Sequence, residues 1–211
     1  YLFYNLMTAK NKSGTVYLET LGHKLNAAGE IDLVARHIDN SRQISQIHYG
    51  GGSPTSIPIP MLKELNDHLL SIAPTIASPE IAIECHPGYL SEHDWQQLTA
   101  CGFTRYSIGI QDMKEEVLKA VNRRPSLLPL QEILQILRAS GATVNFDFIY
   151  GLPLQSVDSF RKTIEQASAL RPDRLVTFSY AHLPKLFPRQ QILDRMGLPA
   201  TEEKNRMYET A

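Results

Sequence analysis

From residue 40 onward the sequence alternates short β-rich runs with longer stretches of helical periodicity, and few architectures accept that rhythm. Strand-like runs rich in Ile, Val, Phe or Tyr occupy Ile44–Tyr49, Glu80–Cys85, Arg105–Ile110, Thr143–Tyr150 and Arg174–Tyr180. The helical stretches between them have readable ends. Ser91 followed by Asp94 resembles a capping box opening Glu92–Ala100, and Gly102 stands where a left-handed closing residue belongs. Leu127–Ser140 places Leu130, Ile133, Leu134 and Leu137 on one face, with Gly141 closing it. Ser156 can cap Val157–Leu170, and Pro172 forbids continuation. Thr15–Ala35 also reads as helical, interrupted by Gly22 and Gly29. Strand–helix repetition with short turns predicts an α/β fold with a parallel sheet, either doubly wound or a barrel.

Both architectures gather function at the C-terminal ends of their strands. The first strand runs into Gly50-Gly51-Gly52-Ser53-Pro54-Thr55, and the second ends at Glu84-Cys85-His86-Pro87. The third ends at Gly109-Ile110-Gln111-Asp112, and the fourth carries Asn145 and Asp147 before Tyr150-Gly151-Leu152-Pro153. The fifth ends at Ser179-Tyr180-Ala181-His182-Leu183-Pro184. Polar side chains or glycine stand at every end, which packing alone does not require.

Three consecutive glycines are expensive to order, so they suggest a sharp bend or a backbone lying against something with no side chain between. Such a turn offers N–H groups to an anion, or room for a ligand's ammonium and carboxylate end. It is neither a dinucleotide fingerprint nor a phosphate loop, since Gly-x-Gly-x-x-Gly and Gly-Lys-Ser/Thr are both absent. Glu84 and Gln111, at adjacent strand ends, are placed to engage vicinal ribose hydroxyls. Arg123 and Arg124 form a doublet after a short helical stretch; it reads either as a solvated face or as a bidentate partner for a carboxylate. Asp147 interrupts a core-type strand and calls for a partner or a ligand. Glu84 and His86 share a face but are too few for a metal site, Cys85 reads as a packed thiol, and His48 as a satisfied strand residue.

The chain carries 21 basic and 22 acidic residues, a net charge of −1, so it shows no electrostatic footprint for nucleic acid. No apolar stretch approaches the roughly 18–20 residues of a membrane span. Only Cys85 and Cys101 are present, which argues for a reducing compartment, hence the cytoplasm. The sequence opens on Tyr1-Leu2-Phe3 without an initiator Met or a signal peptide and reads as the middle of something longer.

Together the motifs resemble the radical S-adenosylmethionine (SAM) enzymes, and within them the oxygen-independent coproporphyrinogen III oxidase group. "YGGGSPT", "IECHP", "SIGIQDM" followed by "AVNRRP", "NFDFIYGLP" and "YAHLP" fall in that group's order and at similar spacing, over roughly residues 15 to 210. "SIGIQD" and "IYGLP" are shared with related haem chaperones and anaerobic haem-degrading enzymes, whereas "VNR" and "YAHLP" lean toward the oxidases. The resemblance implies that Gly51, Gly52 and Ser53 hold the methionine end of SAM and that Arg123 pairs with its carboxylate. It implies that Gln111 and Asp147 bind the ribose region and that Glu84 lies near the nucleoside or the substrate. Phe148 and Ala181 would bracket the adenine.

One departure stands out. The family's Cys-x3-Cys-x2-Cys motif, which ligates a 4Fe–4S cluster, is absent, and its expected place is immediately upstream of "LFYNLMT". The resemblance therefore implies that residues 1–211 are a core domain incomplete at both ends, a partial (β/α)6 TIM-like barrel lacking its first unit and a C-terminal domain. By itself such a piece is expected to be inactive. The activity implied for the full enzyme is oxidative decarboxylation of coproporphyrinogen III propionates toward protoporphyrinogen IX through a 5′-deoxyadenosyl radical, in haem biosynthesis. Its partners would be a tetrapyrrole substrate and a reducing electron donor. A haem chaperone without turnover and a haem-opening radical methyltransferase are the alternatives.

Overall fold

Five strands, β1 (Ile44–Tyr49), β2 (Thr75–Cys85), β3 (Arg105–Gln111), β4 (Thr143–Tyr150) and β5 (Arg174–Ser179), hydrogen-bond in sequential order in one sheet. The structure, a computed structural model, describes residues 29, 31–33, 35–37, 43–51 and 53–211. β1 runs parallel to β2 with Tyr49 opposite Ile83, and β4 runs parallel to β5 with Tyr150 opposite Ser179. A doubly wound sheet reverses its strand order at a switch point; here the order never reverses, which is the arrangement of a β/α barrel. The helices between and after the strands are α1 (Ile59–Ser71), α2 (Glu92–Thr99), α3 (Glu115–Ala120), α4 (Leu130–Ala139), α5 (Val157–Ala169), α6 (Gln191–Asp194) and α7 (Thr201–Thr210).

The residues group into two compact units. The first holds β1, α1, β2, α2, Arg105–Ser107 of β3 and residues 136–143. Its core is built on Tyr49, Leu62, Ile83, Trp95, Leu98 and Tyr106, all with almost no exposed surface. Burying each large apolar side chain contributes about 1.5–3 kcal/mol. The aromatics meet edge to face, Tyr49 with Phe103 at 5.3 Å and Trp95 with Tyr106 at 6.4 Å between ring centroids. Two of its buried polar groups are paired, Tyr106 Oη donating to the Leu98 carbonyl at 3.0 Å and Asn66 Nδ2 to that of Cys101 at 2.9 Å, whereas Trp95 Nε1 is buried without a partner among the described residues.

The second unit holds residues 86–91, 108–135 and 144–211. Along β4, Val144, Phe146 and Phe148 are fully buried on one face, and Asn145 and Asp147 alternate onto the other. α5 opens with a reciprocal capping box between Ser156 and Ser159, and it packs on α7.

α1, α6 and α7 have no counterpart in the sequence reading, and β2 and α4 differ from it in their bounds. In α1, Pro58 and Pro60 stand at the N-cap and in the first turn, where no N–H is needed. β2 starts at Thr75, not Glu80, and contains Pro79. The pairing with β1 jumps from Ile44 opposite Thr75 to Gln46 opposite Glu80, so Pro79 falls in the irregular stretch where its missing N–H breaks no regular ladder. α4 starts at Leu130, because Pro129 intervenes and the Leu127 N–H donates to the Pro87 carbonyl at 3.1 Å. The helix read at residues 15–35 lies outside the described residues, apart from a few around the buried Ile31.

Candidate functional site

In the first unit the chain leaves β1 at the buried Tyr49 and bends through the glycines. A Cβ on Gly50 would lie 2.6 Å from His48 Nε2 and 2.7 Å from Glu84 Oε1. Gly51 has φ 86°, in the left-handed region that glycine adopts freely. Its N–H donates to Glu84 Oε2 at 3.2 Å, while His48 Nε2 stands 3.2 Å from Glu84 Oε1. Both oxygens of Glu84 are thus engaged by the turn and by the residue two places before it. The glycines answer a close approach of backbone to carboxylate. Ser53 follows, its carbonyl accepting from the Ser56 N–H at 2.8 Å in a single 3-10 turn. Gly52 lies outside the described residues.

In the second unit β3 ends on Gln111 with φ 70°, rare for a residue with a side chain. Its Oε1 is buried with no hydrogen-bond partner among the described residues. The arginine doublet is resolved by the end of α3. The Asn122 N–H donates to the Lys119 carbonyl at 3.0 Å and the Arg123 N–H to the Leu118 carbonyl at 2.8 Å, with Asn122 at φ 54°. That is a Schellman closure with Asn in the left-handed position. It sends the two side chains apart: Arg123 Nη2 donates to the Gly109 carbonyl, whereas Arg124 stacks 4.9 Å over the Tyr89 ring.

A Cβ on Gly109 would lie 2.8 Å from Arg123 Nη2 and 2.8 Å from Gln111 Nε2, so the two groups reach the same spot from different segments. Burial lowers the Arg123 pKa, with Tyr89 and Asp147 acting the other way. Asp147 accepts from Asn145 Nδ2 at 2.7 Å and is the carboxylate that Arg123 feels. Phe148 is fully buried on the opposite face of β4 from Asp147, which leaves its backbone for any ligand contact. Ala181 is exposed just after β5, and its carbonyl accepts from Gln190 Nε2 at 3.1 Å. His86 Nδ1 accepts from the Gly88 N–H at 3.0 Å, and burial, then Arg123, pushes its pKa down to about 4.

The structure thus brings Gly51 and Glu84 together in one unit, and Gln111, Arg123 and Asp147 in the other. Sequence reasoning passed over Gly109 and Asn122, and read His48 as a satisfied strand residue, which its contact with Glu84 makes it. Gly109 carried a usable signal, since glycine inside a strand often marks close approach of another group.

This donor set has a definite chemistry. An unpartnered buried amide oxygen seeks a hydroxyl, and a half-buried guanidinium presents a fork that fits a carboxylate. SAM carries both groups, on its ribose and its methionyl end, and fits. An iron–sulfur cluster does not fit the described residues: no group of three or more His, Cys, Asp or Glu is disposed to hold a metal. Cys85 is buried, with its thiol pKa pushed up by burial and then by Glu84. Among the described residues no helix is long and apolar enough to cross a membrane.

Residues 22–167 match the model of the radical SAM superfamily. The chain is 38% identical over 186 residues to an oxygen-independent coproporphyrinogen III oxidase of Pseudomonas aeruginosa, covering 85% of this chain and 40% of the relative. It is 36% identical over 183 residues to that of Helicobacter pylori, covering 86% and 40% respectively. It therefore spans about two fifths of the length of these curated relatives. Among solved structures, coproporphyrinogen III oxidase from Escherichia coli, described as a radical SAM enzyme, superposes with a TM-score of 0.79 at 31% identity, over 94% of this chain and 45% of that one. On the family match over most of its length, the chain belongs to the radical SAM superfamily.

Proposed function

We propose that the chain is the SAM-binding core of an oxygen-independent coproporphyrinogen III oxidase acting in the cytoplasm in haem biosynthesis. Relatives at 36–38% identity carry that name. The observation that supports the role of this segment is the meeting of Arg123 and Gln111 over Gly109, with the Gln111 Oε1 buried and without a partner among the described residues. Arg123 holds the methionyl carboxylate. Gln111 accepts from a ribose hydroxyl, with Asp147 beside it on the same sugar. Gly51, Gly52 and Ser53 meet the methionine end, and Glu84 is near the nucleoside or substrate. Phe148, through its backbone, and Ala181 flank the adenine.

SAM, which Arg123 and Gln111 would hold, would supply radical hydrogen-abstraction chemistry toward a substrate propionate, with the cluster that chemistry needs held outside the described residues. The residues named would bind this cofactor and orient it for reaction with the substrate. The cluster ligands are not among Cys85 and Cys101, so the 211 residues alone are expected to show no turnover.

The test is anaerobic turnover of the whole, cluster-loaded protein with SAM, a chemical reductant and coproporphyrinogen III, followed by mass spectrometry. Vinyl-bearing product with release of carbon dioxide is expected. Stable haem binding without product, or a methylated linear tetrapyrrole from haem, would overturn the assignment.

A further inference from the structure

The residue after Gln111 is a carboxylate sealed in the second unit. Asp112 is 1% exposed. Its Oδ1 accepts from the Lys114 N–H at 2.7 Å and from Thr163 Oγ1 at 2.9 Å, and its Oδ2 accepts from Gln155 Nε2 at 2.6 Å. Gln155 and Thr163 are themselves buried. Gln155 Nε2 also donates to the Ile149 carbonyl at 2.9 Å, and its Oε1 accepts from the Leu152 N–H at 2.8 Å. One carboxylate therefore ties the end of β3 to the turn after β4 and to the middle of α5.

Burial of a carboxylate is tolerated only when its oxygens are filled by donors, as they are here. Its position says what the arrangement is for. Gln111 is a non-glycine residue in the left-handed region, a conformation that persists only when the surroundings over-determine it. On that backbone Gln111 Nε2 comes to the place over Gly109 that Arg123 also reaches. Asp112 anchors the chain immediately beyond it.

We propose that Asp112 is a positioning residue: its three buried hydrogen bonds hold Gln111 left-handed and thereby aim the amide that accepts the ribose hydroxyl of a nucleoside ligand. The inference rests on the SAM reading of this site. Asp112 touches no ligand and acts through Gln111. The same anchor makes the Ile149–Gln155 turn part of the nucleoside site, because Gln155 bridges the two.

The test is a double-mutant cycle read as SAM affinity, by calorimetry without reductant, in the whole cluster-loaded protein. Asp112→Asn sets an amide N–H against one of the three donors. Gln155 cannot turn to relieve it without losing its bonds to Leu152 and Ile149. Gln111→Ala should weaken binding about tenfold and Asp112→Asn about fivefold or more, with the double variant no weaker than Gln111→Ala alone. A merely structural Asp112 would lower the melting temperature and leave the affinity unchanged, and that result overturns the proposal, as does full additivity. Should Asp112→Asn not fold, Thr163→Val removes a single donor and takes its place in the cycle, with a twofold to threefold loss (about that size) and the same non-additivity expected. Gln111→Ala without any effect would instead overturn the nucleoside reading underneath, a distinguishable outcome.

Discussion

The backbone N–H of Gly51 donates to the carboxylate of Glu84 across 3.2 Å, and a Cβ on Gly50 beside it would displace the side chains packed there. The atoms a Cβ would meet are the ends of His48 and Glu84, whose side chains are 46% and 37% exposed. They can swing into solvent, so Gly50→Ala should cost the fold only about 1 kcal/mol or less. Moving Glu84 off Gly51, however, should weaken SAM binding in the whole protein by about tenfold. Thermal melting and calorimetry on the same preparation check both halves. Unchanged affinity with a lowered melting temperature would sink the site reading of this turn.

Arg123 and Arg124 should respond in opposite ways to alanine. If Arg123 holds the methionyl carboxylate as proposed, Arg123→Ala should weaken SAM binding by about 1.5–3 kcal/mol, or ten- to hundredfold. Arg124→Ala removes only a cation–π contact with Tyr89, worth about 0.5–1 kcal/mol of stability, and should leave affinity unchanged. Equal affinities for the two variants would return Arg123 to a structural role through the Gly109 carbonyl.

Asn122 at φ 54° aims the doublet. Asn122→Gly should be neutral to within a few tenths of a kcal/mol, whereas Asn122→Val, with a branched Cβ in a left-handed position, should destabilise by about 1–2 kcal/mol. Urea unfolding ranks the two. The reverse ranking would mean that the turn does not control the stability of this helix end.

His86 gives a pH dependence with a definite sign. Its pKa falls from the usual 6.5 to about 4, burial being the first cause and Arg123 the second. Between those values the unfolded chain binds the proton and the folded chain does not, so stability rises with pH across the window. The contribution is fully present above pH 6.5 and is lost as pH falls through about 4. His86→Gln keeps an acceptor for the Gly88 N–H but cannot titrate. The melting temperature of the variant should therefore fall less steeply than wild type between pH 6.5 and 4, and parallel curves would refute the assignment.

Much of the scaffold was legible in the sequence because its signals are local. Strand and helix periodicity, Ser156 as a cap, and Gly102 and Gly141 at left-handed positions each depend on residues a few places apart. α1 and the first half of β2 were hidden by Pro58, Pro60 and Pro79, which break regular structure in general but not at a helix start or an irregular register.

What the sequence determined by itself is the repeating strand–helix order, the polar or glycine residues at every strand end, and the motifs that carry the family, since each is written in contiguous residues. Residue chemistry without the family resemblance could not choose between Arg123 and Arg124, because adjacent arginines are alike until a backbone turn sends one to the Gly109 carbonyl and the other over Tyr89. Nor could it find Asp112, whose partners Gln155 and Thr163 lie 43 and 51 residues away. A buried carboxylate is defined by the donors that surround it, and only the folded chain brings those donors to one place.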